Sequence, residues 1–236
     1  MEQSEGKREC ELKYKVQDTV EKIRLIEKLK SLGFKFNSNN LESDYTPDVE
    51  GFMCRENGMM LRFRVIEGTQ NDVLITLKIK GKGKEFQDNY EIETLLSDFD
   101  INKFNAINNK LSEKANQTIP FGITSLKTIK DIREYLAQNG FSQHRMFSQK
   151  RRMEYMKEKG PKITIDEFPR GIGTFLEIET ETPEELFETV QILGLEQKNF
   201  EKRNYGEIIK EKQKGLSEEE RRTCIFDEQN ECEHER

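Results

Sequence analysis

Short runs in which polar and apolar side chains alternate recur along the chain. They are separated by stretches with helical spacing. Residues 8–16 (RECELKYKV), Met60–Val65 (MLRFRV), Val73–Lys80 (VLITLKIK), Asn89–Glu93 (NYEIE), 146–156 (MFSQKRRMEYM), 162–167 (KITIDE) and 175–179 (FLEIE) alternate with period two and predict strands. Between them, Asp18 precedes an apolar stripe of Val20, Ile23, Ile26, Leu29 and Leu32 that Gly33 ends, which predicts a helix. A short extended stretch at Phe34–Phe36 and a polar loop, SNNLES, follow. Residues 97–122 read as helix plus loop, with Ile101, Phe104, Ile107 and Leu111 near helical spacing, and 125–139 as a helix closed by Gly140. Thr182-Pro183-Glu184-Glu185 is a capping box with proline at the first helical position, opening a helix to Leu193 that Gly194 ends. A last polar helix is expected over 200–214. One rhythm appears three times: a Glu-x-Glu strand, then a helix and a glycine, at Glu9/Glu11 to Gly33, Glu91/Glu93 to Gly140 and Glu177/Glu179 to Gly194.

The 236 residues suit one domain with additions. Charged residues make up 36% and hydrophobic ones 33%, yet 15 Phe leave material for a core. No segment approaches the roughly 20 apolar residues of a membrane span, and no apolar leader follows Met1. Four Cys without CxxC spacing argue against a disulfide scaffold or zinc module, and a cytoplasmic location is the expectation. Only two His exist, at 144 and 234, and the second lies in the tail, which argues against a Ser-His-Asp triad, a Cys-His dyad or a multi-histidine metal site. Most of the net charge of −6 sits in the tail: residues 215–236 carry eight acids and three bases, leaving 36 bases against 37 acids in 1–214. The division expected is a catalytic domain over 1–214, with an insertion at about 97–122, and an acidic appendage over 215–236. The body is not basic enough to announce nucleic acid. The run Lys78, Lys80, Lys82 and Lys84 fits a glycine-punctuated basic turn better than a nucleic-acid surface.

The arrangement of the charges matters more than their sum. Alternate residues of a strand share a face. Glu9, Glu11 and Lys13 therefore share one, as do Arg62 with Arg64, Lys78 with Lys80, Glu91 with Glu93, Lys150 with Arg152, and Glu177 with Glu179. Asp166 closes the ITID run on one face. A sheet with one solvated face is the commonest source of such alternation. Solvated faces mix signs, however, whereas these runs place like charges side by side. A sheet closed so that the charged faces point inward accounts for this better. Such a space needs water, ions and a charged substrate. Clustered bases suit a polyphosphate, and clustered carboxylates suit magnesium or manganese.

An ordered set of motifs carries a resemblance. It begins with Glu9-Cys10-Glu11-Leu12-Lys13, followed by Asp44-Tyr45, Leu61-Arg62-Phe63-Arg64, Leu77-Lys78 and Glu91-Ile92-Glu93. Lys150-Arg151-Arg152, Ile165-Asp166-Glu167, the GIGTFLEIE segment at 171–179 and Arg203-Asn204-Tyr205 complete it. The set resembles the CYTH superfamily, the triphosphate tunnel metalloenzymes, from about residue 8 to 210. ELKYKV, KITIDEFPRGIGTFLEIE and EKRNY are most similar to class IV adenylyl cyclases. The resemblance implies an α+β fold built on a closed eight-stranded antiparallel β-barrel with helices outside. It implies two Mg2+ or Mn2+ ions and ATP or another triphosphate in the tunnel. Glu9, Glu11 and Glu179 resemble metal ligands, with Asp166, Glu177, Glu91 and Glu93 as further candidates. Lys13, Arg62, Arg64, Lys78, Lys150 and Arg152 resemble the phosphate cradle, which Lys80 and Arg203 extend. Asn89 and Asn204 depart from the family pattern, where Arg and Ser are common.

Three functions remain open at this point. The first is a cyclase making 3′,5′-cyclic AMP and pyrophosphate from ATP. The second is a triphosphatase acting on inorganic or organic triphosphate, including a thiamine-triphosphatase-like activity, and the third a nucleotide sensor without turnover. No membrane or nucleic-acid partner is expected. A homodimer is open, with no self-association surface legible.

Overall fold

The computed structural model describes residues 7–69, 71–81 and 87–226. In chain order the elements are β1 (Lys7–Val16), α1 (Thr19–Ser31), β2 (Lys35–Asp48), α2 (Met53–Glu56), β3 (Met59–Gly68), β4 (Asp72–Lys80) and β5 (Gln87–Leu95). They continue with α3 (Ile101–Ala115), α4 (Ile129–Gln138), β6 (Gln143–Met156), β7 (Lys162–Phe168), β8 (Gly173–Thr180), α5 (Pro183–Leu193), β9 (Phe200–Glu201), α6 (Tyr205–Lys212) and β10 (Thr223–Cys224). Hydrogen-bonded neighbours run β10-β6-β2-β3-β4-β5-β1-β8-β7, and β7 also pairs with β6, so the order returns on itself. The fold is a closed eight-stranded antiparallel β-barrel with six α-helices among the described residues. The two-residue strands β9 and β10 attach to β1 and β6. No described helix is long and apolar enough to cross a membrane.

Two compact units divide the chain, one built mainly from residues 42–81 and 88–148, the other from 9–41 and 149–226. In the first, Leu61, Phe63 and Val65 of β3, Val73, Ile75 and Leu77 of β4 and Ile92 of β5 meet Phe104, Ile107 and Leu111 of α3 and Ile132 and Leu136 of α4 in one core. Residues 97–122, an insertion by sequence, thus supply part of this core. In the second, Leu12 and Tyr14 of β1, Ile163 and Ile165 of β7 and Leu176 and Ile178 of β8 pack on Leu25 and Leu29 of α1 and Leu186 and Val190 of α5. Each strand gives alternate residues to its core, so the intervening charged residues face the other way.

Local chemistry sets the helix ends. Asp18, Asp100, Thr128, Thr182 and Asn204 cap α1, α3, α4, α5 and α6 by accepting a backbone N–H in the first turn. Gly194 adopts φ 69° after α5, a left-handed conformation that favours glycine.

Three expectations change. The α1 stripe is rotated: Val20 is 76% and Ile23 52% exposed, and the buried pair is Leu25 and Leu29, four residues apart. SNNLES is not a loop but the middle of β2, whose polar residues Ser38, Asn40, Glu42 and Ser43 are buried. A hydrophobicity rule misses a strand whose shielded face is polar. The last polar helix starts at Tyr205, after β9, and ends at Lys212. Of residues 215–226, Thr223–Cys224 pair with β6 and Cys224 is buried. Lys82, Lys84, Cys232 and His234 lie outside the described residues.

Candidate active site

Strand register assembles the charges of the second unit. Across β1 and β8, Glu11 stands opposite Glu179 and Lys13 opposite Glu177. Across β7 and β8, Lys162 stands opposite Glu179 and Thr164 opposite Glu177. Across β6 and β7, Arg152 stands opposite Asp166. Glu11, Lys13, Lys150, Arg152, Asp166 and Glu177 are each at most 5% exposed, a burial that ionic side chains tolerate only when paired.

The pairing is dense. Asp166 Oδ1 accepts from Arg152 Nε at 2.6 Å, and Oδ2 accepts from Arg152 Nη2 at 2.6 Å and Lys150 Nζ at 2.8 Å. The Tyr205 hydroxyl donates to the same Oδ2 at 3.1 Å. Arg152 Nη2 also donates to Glu177 Oε2 at 2.5 Å, and its Nη1 lies 3.9 Å from Glu179 Oε1. Lys13 bonds Glu11 and lies 3.3 Å from Glu177 Oε1. Lys162 sits between Glu179 at 3.4 Å and Glu154 at 3.2 Å. The Glu179 charge, helped by Glu154, holds the Lys162 ammonium protonated well above the usual lysine range. Glu9 is half-buried on the same face of β1 as Glu11.

A second set lies in the first unit. Arg64 makes a bidentate pair with Asp44, Nε to Oδ1 at 2.6 Å and Nη2 to Oδ2 at 2.7 Å, and its Nη1 lies 3.0 Å from Glu42 Oε2. Arg62 Nη2 donates to Thr76 Oγ1 at 3.3 Å and lies 3.6 Å from Glu93 Oε1, which also accepts from Thr76 Oγ1 at 2.7 Å. Lys78 pairs with Glu91, its register partner. None of Arg62, Lys78, Glu91 and Glu179 is splayed into solvent.

Two expected cradle members lie apart from these sets. Lys80 is exposed at the end of β4. Arg203 is exposed and held by Glu201, Nε to Oε1 at 2.8 Å, and by Glu211; the Arg203 hydrogen bond keeps the Glu201 carboxyl below its usual range. Sequence reasoning gave no role to Glu42, Thr76, Glu154, Lys162 or Tyr205. Parity was the available signal: Glu42 shares a strand face with Asp44, and Lys162 with Asp166. The ring of Tyr205 packs on Phe168 and Phe175, with centroids 4.5 and 5.5 Å away, as an ordinary core aromatic would. Its hydroxyl does not.

A family model described as the CYTH domain matches residues 7–205. The chain belongs to the CYTH family. No curated protein matches it by sequence. Among solved structures, a protein of Pyrococcus horikoshii is 24% identical with a TM-score of 0.61, the match covering 87% of this chain and 99% of that one. An adenylate cyclase candidate from Vibrio parahaemolyticus is 20% identical with a TM-score of 0.59, covering 86% and 98%. An adenylyl cyclase candidate from Hippeastrum, with a dominant triphosphatase activity, is 17% identical with a TM-score of 0.50, covering 83% and 91%.

CYTH enzymes are metal-dependent in general and act on triphosphates such as ATP. The donors on this CYTH chain's β1 and β8 are carboxylate oxygens, the chemistry that magnesium and manganese prefer. No three His, Cys, Asp or Glu side chains among the described residues already stand together as a ligand group, since Glu11, Glu177 and Glu179 each face a base. The donor types fit a hard divalent cation, and Asp166, saturated by Lys150, Arg152 and Tyr205, is the least suited of them.

Proposed function

We propose that this CYTH protein is a divalent-metal-dependent nucleotidyl cyclase that converts ATP to 3′,5′-cyclic AMP and pyrophosphate. The observation that carries the reading is the buried cluster of Lys13, Lys150 and Arg152 interleaved with Glu11, Asp166 and Glu177. Stability alone does not call for it, because apolar residues of similar volume do as well or better than buried ion pairs. The cluster makes sense as a site prepared for a ligand that carries both signs, a polyanion with its cations.

In this reading Glu9, Glu11 and Glu179 would hold the divalent cation, which would supply Lewis-acid activation of the ribose 3′-hydroxyl and offset phosphate charge. Lys13, Lys150 and Arg152 take the phosphate oxygens, Arg152 with the planar fork that matches them. Within the first unit, Arg62, Arg64 and Lys78, paired with Glu93, Asp44, Glu42 and Glu91, are a second set of phosphate-type donors. The O3′–Pα bond forms as the hydroxyl gives up its proton, the bond from Pα to the bridging oxygen breaks, and pyrophosphate leaves carrying that proton, its charge offset by Lys13, Lys150 and Arg152. Burial keeps water from competing as nucleophile and strengthens each charge contact.

The Hippeastrum neighbour favours a second reading, in which water attacks the terminal phosphorus of a triphosphate. Chromatography of the products from labelled ATP with magnesium or manganese separates the two. Cyclic AMP with pyrophosphate supports the cyclase; ADP with phosphate supports the triphosphatase. Tight ATP binding without turnover overturns both and leaves a sensor.

A further inference from the structure

The first residue of α6 touches the charged cluster through three separate contacts. The capping box of Asn204 and Glu207 fixes the start of the helix, and with it Tyr205. Lys13 Nζ and Lys150 Nζ lie over the Tyr205 ring, 5.0 and 5.2 Å from its centroid. The hydroxyl donates to Asp166 Oδ2. Burial, with the negative charges of Asp166 and Glu177, pushes the phenol well above its ordinary pKa of 10.0, so it remains a donor at neutral pH.

Asp166 Oδ2 is oversubscribed. It faces three donors, Lys150 Nζ, Arg152 Nη2 and the Tyr205 hydroxyl, whereas Oδ1 has one. A carboxylate oxygen offers two lone pairs. One donor is therefore in surplus while the ammonium of Lys150 stays on Asp166, and none is in surplus once that ammonium turns to a phosphate oxygen.

We propose that Tyr205 is a positioning residue whose hydroxyl takes over the Asp166 oxygen that Lys150 gives up when a triphosphate binds. The inference rests on the triphosphate-binding reading above. Asp166 is fully buried, so leaving it short of a donor is unfavourable. The phenol removes that penalty from the bound state and frees Lys150 for the substrate. The hydroxyl is worth little before binding and more after it, so its loss appears in affinity.

The test is calorimetry with inorganic triphosphate and excess magnesium on the whole chain, beside the thermal midpoint without ligand. Tyr205→Phe keeps the ring and removes the hydroxyl. Its dissociation constant is expected to rise about five-fold, the size of one hydrogen bond, with the unliganded midpoint little changed. In a Lys150→Met background, where no lysine leaves Asp166, the same substitution is expected to change affinity less than about two-fold. Unchanged affinity in Tyr205→Phe, a lowered unliganded midpoint without an affinity change, or a full effect in the Lys150→Met background overturns the proposal and leaves the functional reading standing. No triphosphate binding by the parent chain overturns that reading and this inference together.

Discussion

Arg152 grips Asp166 along one edge of its guanidinium, Nε to Oδ1 and Nη2 to Oδ2, each at 2.6 Å. The pair joins β6 to β7 at a directly opposed register position, and Asp166 has no solvent exposure. Neither charge has water to fall back on, so the two depend on each other for folding as well as for any chemistry.

Breaking that pair from one side destabilises the protein. Asp166→Leu leaves Arg152 and Lys150 short of a counter-charge, and Arg152→Met leaves Asp166 and Glu177 short of theirs. Each is expected to lose about 3–5 kcal/mol of unfolding free energy, as removal of one partner from a buried pair does. The double variant is expected to lose less than the sum, because it buries no uncompensated pair. Urea unfolding of the four proteins measures this; simple additivity would show that the pair is not coupled.

Arg64 tests the geometry of a fork rather than its charge. Its guanidinium holds Asp44 with two hydrogen bonds and places a third nitrogen 3.0 Å from Glu42. A lysine keeps the charge but cannot present that fork. Arg64→Lys is expected to cost about 1.5–3 kcal/mol of stability, the net value of a charge-assisted hydrogen bond. A urea midpoint equal to the parent's would mean that charge alone suffices.

These relationships mark how far sequence reaches. The alternation in LRFR, IEIE-like and KITID runs revealed both faces of each strand, because a strand with paired like charges on one side and Leu or Ile on the other has few ways to fold. The closed eight-stranded barrel was an implication of the resemblance that the motif series carries, whereas the order of its strands was not legible. β2 escaped because Ser38, Asn40 and Glu42 carry polarity onto the shielded face, where hydrophobic patterning expects the reverse. Which base meets which acid was not legible either. Arg64 finds Asp44 twenty residues away on the neighbouring strand, and Lys162 finds Glu179 through cross-strand register, and no local pattern encodes either. The ring of Tyr205 packs as any core aromatic does, and nothing local in EKRNY points its hydroxyl to Asp166 across the fold.

Two buried thiols give the protein an alkaline weakness. Burial pushes Cys54 up from the ordinary 9.0 to about 12, with help from the Asp48 charge, and pushes Cys224 to about 11. Between pH 9 and those values the unfolded chain releases thiol protons that the folded chain keeps. The stabilisation these protonated thiols provide is complete below pH 9, and it is lost as pH rises through the folded values, at about 1.4 kcal/mol per unit and thiol. Cys54→Ala with Cys224→Ala is expected to flatten stability against pH between 9 and 11. Both thiols are expected to resist a thiol-reactive disulfide reagent at pH 8 until the chain is unfolded. Fast reaction of the native protein at both positions would show that they are not enclosed.

The carboxylates of β1 decide whether the charged face binds metal. Glu11 is buried beside Lys13 and opposite Glu179, and Glu9 lies two residues earlier on the same face. Glutamine keeps the shape of each side chain and one oxygen, but removes the charge that a hard divalent cation requires. In Glu9→Gln with Glu11→Gln, manganese affinity is expected to fall at least about ten-fold, in line with losses seen when metal-site carboxylates or their partners are changed. Turnover of ATP is expected to be lost, whereas nucleotide binding is retained because Lys13, Lys150 and Arg152 remain. Titration with manganese followed by paramagnetic resonance reads the first effect without relying on activity, and a fluorescent ATP analogue reads the last. Manganese binding as tight as the parent's would move the metal away from β1 and leave Glu179 and Glu177 to be tested in turn.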